Sequence, residues 1–302
     1  MRVARASLHA WEEPCISGTR GSGTVFFCGC PLGCMICQNA AISGPDAPGR
    51  EITPEELAEV YLLLQEAGAH NINLVTAVHF TPAVAHSLRI ARDRGLTIPI
   101  VYNTSGYERV ETLRMLDGLI DIYLADCKYH SDTLSQRISR APDYFPVCME
   151  AVNEMLRQTG EPLFESGLDA QAYNTSLEDL AEEDDYAGAL MLKGTIVRHL
   201  MLPGQLADSM RVVDELLKRF GDHIYLSLMD QYTPMPQIAD RPELNRPISS
   251  GDYERLIDHA LGAGLENGFF QGGGTDTASF IPPFSDAADP DNFLNRLPGF
   301  VL

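Results

Sequence analysis

Three cysteines stand close together near the start of the chain, at a spacing that suits a metal centre. Cys30, Cys34 and Cys37 form a C-x3-C-x2-C pattern after an apolar, β-prone run at residues 25–27. Three thiolates can wrap one face of an iron–sulfur cluster, whereas structural zinc takes four protein ligands and catalytic zinc takes three and a water. The spacing therefore predicts a cluster in which one iron has no cysteine ligand.

Two other cysteines keep different interpretations open. Cys28 lies directly before the pattern and could compete as a ligand. A fourth thiolate from Cys28 or Cys15 would make the centre a non-catalytic electron carrier or a zinc-binding module. Cys127 and Cys148 are expected to be isolated thiols. With seven cysteines in the chain and three of them in one loop, the pattern favours a reducing cytoplasm over a disulfide framework.

The composition fits a globular protein and argues against several functional classes. The chain has 302 residues, of which 45% are hydrophobic, which is enough for a sizeable core. The net charge of -20 argues against nucleic acid as a partner, because phosphate binding depends on clustered Lys and Arg. No apolar run is long enough to span a membrane, and no secretory signal follows Met1. We therefore expect a cytoplasmic protein.

Apolar runs and amphipathic patterns alternate along the chain. Thr53 and Pro54 predict a helix start, because Thr can cap a helix and Pro fits its first turn. The predicted strands cover residues 24–27, 71–76, 98–103, 120–126, 194–201 and 224–229, with an edge strand at 268–271. The other predicted helices cover residues 82–94, 108–116, a stretch within 144–158, 206–220 and 249–261. This alternation predicts an α/β fold with a parallel sheet, a partial or complete (β/α) barrel of the TIM type with about six β/α units.

The barrel is expected to cover residues 23–265, with an extension at each end and one insertion. Residues 1–22 are expected to cover the cysteine loop through His9, Trp11, Glu12 and Glu13. Residues 161–186, before the fifth strand, are rich in Asp and Glu and contain no Lys or Arg, which is typical of a hydrated surface insertion. A docking lid is the alternative for this segment. Residues 266–302 form the C-terminal extension.

Polar residues stand where the predicted parallel strands end. In parallel α/β barrels the active site forms at the carboxyl ends of the strands, so these residues are candidate binding groups. They are Thr76, His79, Asn103, Thr104, Asp126, Lys128, Arg198, His199, Asp230 and Gln231. All are expected to converge above the cysteine loop.

Side-chain alternation narrows this set. If the fourth strand continues to Lys128, Asp126 and Lys128 share one face with Leu124. A carboxylate and an ammonium side by side at a barrel mouth can bind a polar ligand, or they form a purely structural ion pair. Arg198 and His199 must face opposite ways, and we predict that Arg198 faces the interior.

The cysteine pattern after a strand resembles the signature of the radical S-adenosylmethionine (SAM) enzymes. The flanking sequence is similar to the homologues of pyruvate formate-lyase activating enzyme, on residues 13–18, 21–27 and 37–39. The strand ends that match this family are residues 103–106, 126–128 and 198–204. Two further segments resemble the subgroup specifically, residues 229–234 and 244–246. The resemblance covers nearly the whole chain.

This resemblance implies a radical SAM enzyme. Cys30, Cys34 and Cys37 would bind a 4Fe-4S cluster, and SAM would chelate the fourth iron through its amino and carboxylate groups. The reduced cluster would cleave SAM to a 5'-deoxyadenosyl radical, which abstracts a hydrogen atom. The resemblance also implies a glycine of a partner glycyl-radical enzyme as the hydrogen donor and a flavodoxin- or ferredoxin-type reductant. A small molecule or another peptide is the alternative substrate.

The resemblance assigns the SAM contacts as well, with one departure. The assigned residues are Thr76, Val78, His79, Asn103, Asp126, Lys128, Arg198 and Gln231. The activating enzymes end the second strand in Gly-Gly-Glu, whose backbone receives the SAM amino group, and a related subgroup has Thr-Pro-x-His there. Residues 75–79 read Val-Thr-Ala-Val-His instead, so the backbone there would accept the amine. Longer relatives carry a cysteine-rich segment ahead of residues 11–14, and no cysteine follows Cys148, so one cluster is expected.

Overall fold

The computed structural model describes residues 1–165, 188–270, 284 and 289–297, which form a 10-stranded sheet with helices between its strands. The strands are β1 (Arg2–His9), β2 (Ser22–Phe27), β3 (Arg50–Glu51), β4 (Ile72–Val75), β5 (Ile100–Thr104), β6 (Ile122–Asp126), β7 (Leu163–Phe164), β8 (Met191–Leu200), β9 (Tyr225–Met229) and β10 (Gly268–Phe270). The helices are α1 (Pro14–Ser17), α2 (Ala40–Ser43), α3 (Pro54–Glu66), α4 (Thr81–Asp93), α5 (Val110–Arg114), α6 (Asp132–Ser139), α7 (Tyr144–Thr159), α8 (Leu206–Phe220) and α9 (Ser250–Gly262).

The sheet confirms the predicted α/β fold and makes it a partial barrel. Its order is β10-β9-β8-β6-β5-β4-β2-β1-β3, with β7 paired to β8. All neighbouring strands from β2 to β10 in this order run parallel, as strands joined by helical crossovers do. Within the described residues the end strands β10 and β3 do not pair with each other, so the barrel is not closed.

The edge beside β2 contains two strands that the sequence did not predict. β1 runs antiparallel to β2 and pairs Leu8 with Gly23, and β3 pairs with the start of β1. A C-terminal segment packs on β1, where Arg5 forms an ion pair with Asp289 and the Ala6 N–H donates to Asn292 Oδ1 over 3.1 Å. The N-terminal residues are therefore part of the sheet itself.

Side chains alternate between the two faces of the sheet, and each face has its own hydrophobic core. On β6, Tyr123 and Ala125 pack into the larger core between the sheet and its helices. Ile122 and Leu124 point to the other side, the inner face of the sheet, where they pack with Ile16 of α1. Each fully buried side chain of this kind contributes about 2 kcal/mol to stability. The inner face is therefore closed at its lower end by apolar side chains and by α1.

The start of α3 follows the predicted capping pattern. The Glu56 N–H donates to Thr53 Oγ1 over 3.2 Å, and the Thr53 N–H donates to Glu56 Oε2 over 2.8 Å. The acidic stretch 161–186 lies outside the described residues from position 166 onward, as does much of the extension 266–302. In the part of the chain that is described, no helix combines the length and the apolar character needed to cross a membrane.

Candidate active site

The loop after β2 carries the cysteine pattern and is tied to the ends of two other strands. His79, which follows β4, places Nε2 2.8 Å from the Cys28 carbonyl oxygen. Gln231, which follows β9, accepts a hydrogen bond at its carbonyl from Gln38 Nε2 over 3.0 Å. Two of the sequence-predicted SAM contacts therefore hold the cysteine loop. They place it at the carboxyl ends of the parallel strands.

The three thiols of the pattern are half-buried. Ser139, at the end of α6, donates from Oγ to Cys34 Sγ over 2.9 Å. Burial raises the pKa of Cys34 and of Cys37, and at Cys34 the Lys128 ammonium and the Ser139 hydrogen bond counter part of this rise. The positive charge beside Cys34 favours the thiolate, which is the form that binds a metal.

The two alternative cysteine ligands point elsewhere. Cys28 is buried, and its Sγ donates to the Pro48 carbonyl over 3.2 Å. A Cβ at Gly49 would overlap this sulfur, so a glycine is needed where the thiol packs. Cys15 is buried in the apolar core of the inner face. Among the described cysteines, the pattern itself therefore supplies three thiols at the loop rather than four.

In the described ranges, no group of three His, Cys, Asp or Glu side chains is arranged to hold one metal ion. Side chains that share one metal ion must lie close together. Each thiolate of a cluster binds a different iron, so cluster ligands stand further apart. Three half-buried thiols on one loop are a donor set that fits a four-iron cluster with one open iron.

Asp126, Lys128 and Arg198 meet at the carboxyl ends of β6 and β8. Asp126 and Arg198 are register partners, and Arg198 Nε donates to Asp126 Oδ1 over 2.9 Å. Lys128 Nζ donates to Asp126 Oδ2 over 2.6 Å, so each carboxylate oxygen has its own cation. Arg198 Nη2 also donates to Asn103 Oδ1 over 2.7 Å. The fold thus brings four of the sequence-predicted residues together.

Arg198 and His199 face opposite sides of β8. Arg198 reaches the polar groups of the inner face, as predicted from the sequence. His199 is buried on the other side, with Nδ1 2.7 Å from the Cys127 carbonyl oxygen. Burial lowers the pKa of His199, which keeps the ring neutral. His199 therefore anchors the backbone between Asp126 and Lys128.

Two glutamates that precede α1 lie beside this network, and one of them, Glu12, is bonded to it. Glu12 Oε2 accepts from Arg198 Nη1 over 3.0 Å, and Glu12 Oε1 accepts from the side-chain amides of Asn73 at 2.9 Å and Asn103 at 3.2 Å. Glu13 is buried beside them, and its Oε2 has no hydrogen-bond partner among the described residues. Burial raises the pKa of Glu13 despite the opposing effect of Arg198. The N-terminal segment thus supplies some of the polar side chains that lie around Arg198 on the inner face of the sheet.

The network keeps its charges in spite of burial. Burial favours the neutral form of Asp126, but Arg198 and Lys128 outweigh this effect and hold the pKa of Asp126 below its ordinary value. Burial also disfavours the charged form of Lys128, but Asp126 and Cys34 raise its pKa above the ordinary value. Lys128 therefore presents a fixed positive charge next to the cysteine loop at neutral pH.

The backbone after β4 takes an unusual path at the position of the absent Gly-Gly-Glu. Thr76 has a φ of 60°, and its N–H donates to the Asn103 carbonyl over 2.9 Å. Val78 opens a short 3-10 turn, and its carbonyl accepts from Thr81 Oγ1 over 2.8 Å. A β-branched residue in the left-handed region is rare and strained, and such residues cluster at functional sites.

Three residues with site contacts were not predicted to have them. Asn73 lies in the otherwise apolar strand β4, and a buried polar residue on an inner face is a signal that alternation could have found. Ser139 lies in α6, a helix that was not predicted from the sequence, and it is 105 positions from Cys34. Glu12 was expected to shield the cysteine loop, and its ion pair with Arg198 spans 186 positions. Such distant contacts have no local sequence signal.

We compared the chain with protein-family models, with curated sequences and with solved structures. No protein-family model matches the chain. The uncharacterized protein MJ0674 of Methanocaldococcus jannaschii is 25% identical over 259 residues, which are 84% of this chain and 65% of that protein. Streptococcus suis SuiB bound to S-adenosylmethionine matches with 12% identity and a TM-score of 0.48, over 81% of this chain and 48% of SuiB. A domain of pyruvate-formate lyase-activating enzyme from Bacteroides vulgatus matches with 15% identity and a TM-score of 0.40, over 65% of this chain and 93% of that domain. The structural likenesses concern the fold alone.

Proposed function

We propose that this protein is a radical SAM enzyme in which Cys30, Cys34 and Cys37 hold a 4Fe-4S cluster and SAM binds at the open iron. The observation that carries the proposal is the arrangement of the thiols. Three lie in one loop at the carboxyl ends of the parallel strands, while Cys15 and Cys28 are buried in other surroundings. A loop with three thiolates leaves the fourth iron to a ligand that is not cysteine.

A cluster held by Cys30, Cys34 and Cys37 would, once reduced, supply the electron that splits the SAM sulfonium into methionine and a 5'-deoxyadenosyl radical. The residues of the chain hold the SAM. Lys128 uses one ammonium N–H on Asp126 and keeps donors for the SAM carboxylate. Asp126 and Asn103 offer oxygen and amide groups to the ribose hydroxyls. The backbone at Thr76 and Val78 lies at the end of β4 for the SAM amino group.

Four further groups support these contacts. Arg198 orients Asp126 and Asn103 through hydrogen bonds of 2.9 and 2.7 Å. His79 and Gln231 hold the cysteine loop. Ile16 of α1 closes the inner face from below, so water is kept from that side of the site.

We further propose that the hydrogen atom comes from a glycine of a partner glycyl-radical enzyme and that a flavodoxin or ferredoxin supplies the electron. The sequence similarity around residues 13–39 and at the strand ends supports this substrate. A small molecule or another peptide is the alternative donor, because a shared fold does not determine a substrate. A non-catalytic iron–sulfur carrier or a zinc protein is the candidate of a different class, and it would need a fourth protein ligand.

Anaerobic cluster reconstitution tests the proposal. The iron content and the electron spin resonance spectrum of the dithionite-reduced protein are measured with and without SAM, for the wild type and for Cys34→Ser and Cys28→Ser. We expect a four-iron cluster whose spectrum changes with SAM, loss of the cluster in Cys34→Ser, and retention in Cys28→Ser. Equal loss in Cys28→Ser, or a spectrum that does not respond to SAM, would contradict the open-iron arrangement and favour the carrier.

A further inference from the structure

A continuous chain of charged side chains runs from the N-terminal segment to the cysteine loop. Glu12 binds Arg198 at 3.0 Å, Arg198 binds Asp126 at 2.9 Å, and Asp126 binds Lys128 at 2.6 Å. The Lys128 ammonium lies close enough to Cys34 to interact with its thiol electrostatically. These four side chains are two cations and two anions, so their formal charges cancel.

Glu12 is held in this charged network by several hydrogen bonds, which a side chain that only shields the cysteine loop would not need. Its side chain is 8% exposed, and both carboxylate oxygens accept hydrogen bonds from buried donors. Asn73 and Asn103 turn their amide nitrogens toward Glu12, and Asn103 turns its oxygen toward Arg198. Each of these groups therefore fixes the orientation of the next.

The orientation of Arg198 determines how the two carboxylate oxygens of Asp126 are shared between Arg198 and Lys128. One oxygen of Asp126 serves Arg198 and the other serves Lys128. A guanidinium prefers to bind a carboxylate through two parallel N–H bonds. Without Glu12, Arg198 can turn its fork onto both oxygens of Asp126 and displace Lys128 from the second one.

We propose that Glu12 is a positioning residue for the Lys128 ammonium, acting through Arg198 and Asp126. By holding Arg198 to a single oxygen of Asp126, Glu12 leaves the other oxygen to place Lys128 beside the cysteine loop. The consequence for SAM binding rests on the proposed function, in which Lys128 meets the SAM carboxylate. The N-terminal segment thereby sets the geometry of the proposed SAM site.

The first test compares the SAM dissociation constants of anaerobic, cluster-loaded wild type, Glu12→Gln and Glu108→Gln. Glu108 is the control because it too has little exposed surface, at 3% exposure, but bonds to Tyr102 and Thr104 outside the charged network. We expect about tenfold weaker SAM binding for Glu12→Gln, the usual scale for loss of an outer-shell partner, and no change for Glu108→Gln. Unchanged binding in Glu12→Gln, or equal loss in both variants, would overturn the proposal.

A double-mutant cycle separates positioning from general loss of stability. If Glu12 acts through Lys128, then Glu12→Gln adds no further loss of SAM binding in a Lys128→Ala background. Additive losses would overturn the proposal. If Glu12→Gln does not fold, Glu12→Asp keeps the charge with a shorter reach, and its SAM binding is compared with that of Glu108→Asp in the same way.

Crystal structures of the wild type and Glu12→Gln without cluster or SAM make the two proposals separable. We expect Arg198 to bind both oxygens of Asp126 in the variant and Lys128 to leave Asp126. An unchanged Asp126–Lys128 contact in the variant would overturn the positioning role, whatever the cluster does. Failure of the wild type to take up a cluster or SAM would instead defeat the proposed function and leave this structural comparison valid.

Discussion

Arg198 and Asp126 face each other from adjacent parallel strands, with Arg198 Nε 2.9 Å from Asp126 Oδ1. The pair lies above the apolar layer of the inner face, where Leu124 and Ile196 are register partners two residues earlier on the same two strands. A buried ion pair is favourable when further hydrogen bonds satisfy its remaining atoms. Lys128 and Glu12 provide those bonds, so the strand ends carry charges that are paired and largely removed from solvent.

Lys128→Ala should weaken SAM binding at least about tenfold, the loss expected for one charge-assisted hydrogen bond, while the iron content stays close to that of the wild type. The physical reason is that Lys128 is not among the proposed cluster ligands, and its ammonium is bonded to Asp126 and interacts electrostatically with Cys34. Equilibrium dialysis of cluster-loaded protein measures the binding, and iron analysis measures the loading. Lys218→Ala is the control, because Lys218 is exposed on α8. Loss of iron with unchanged SAM affinity would mean that the Asp126–Lys128 pair is structural.

Glu108→Gln should make the stability of the protein less dependent on pH. Burial raises the pKa of Glu108 from 4.5 to about 7, although hydrogen bonds from Thr104 and Tyr102 oppose the rise. A raised acid pKa means that the folded state binds the proton more tightly than the unfolded state. Stability from this group is therefore complete below about pH 4.5 and declines as the pH rises to about 7, by roughly 3 kcal/mol in total.

Urea unfolding at pH 5 and pH 8 measures this effect. We expect the free energy of unfolding of the wild type to fall more between these pH values than that of Glu108→Gln. Because the other titrating groups are shared, the difference between the two proteins isolates Glu108. Parallel pH dependences in wild type and variant would contradict the assignment.

Gly106→Ala should destabilise the junction of β5 and β6 more than Gly118→Ala does elsewhere. Gly106 has a φ of 72°, and an added Cβ would overlap the Asp126 carbonyl and stand 2.8 Å from Cys148 Sγ. Gly118 has a φ of 76° with no atom within 4 Å of its Cβ position. Both variants carry the backbone cost of about 1 kcal/mol, and overpacking adds about 2 kcal/mol at Gly106 alone. Thermal unfolding measures both, and equal losses would show that the contact with Asp126 relaxes without cost.

Much of the fold could be predicted because its elements carry strong periodic signals. The strands around Tyr102 and Tyr123 are short apolar runs between turn signals, and α8 has a clear apolar stripe. β1 was missed because Arg2, Arg5 and His9 break up its apolar pattern, and its stability comes from pairing with β2. Pairing partners of this kind are a tertiary effect that local propensity does not contain.

In the candidate site too, the identity of some residues could be predicted from the sequence, while their contacts depend on the tertiary structure. Strand ends are marked by polar residues after apolar runs, which is why Asn103, Asp126 and Arg198 could be named from the sequence. Their mutual hydrogen bonds follow from strand register, which depends on the whole sheet. The role of Glu12 could not be predicted, because its partner Arg198 is on β8 and no local pattern links the two.

In the proposed function, the three-cysteine loop supports reductive cleavage of SAM. The most direct measurement is chromatographic quantification of 5'-deoxyadenosine after dithionite reduction of the reconstituted protein with SAM, for the wild type and for Cys34→Ala. We predict that 5'-deoxyadenosine forms with the wild type and is absent with Cys34→Ala. A wild type that is loaded with a four-iron cluster and binds SAM, yet yields no 5'-deoxyadenosine, would contradict the claim.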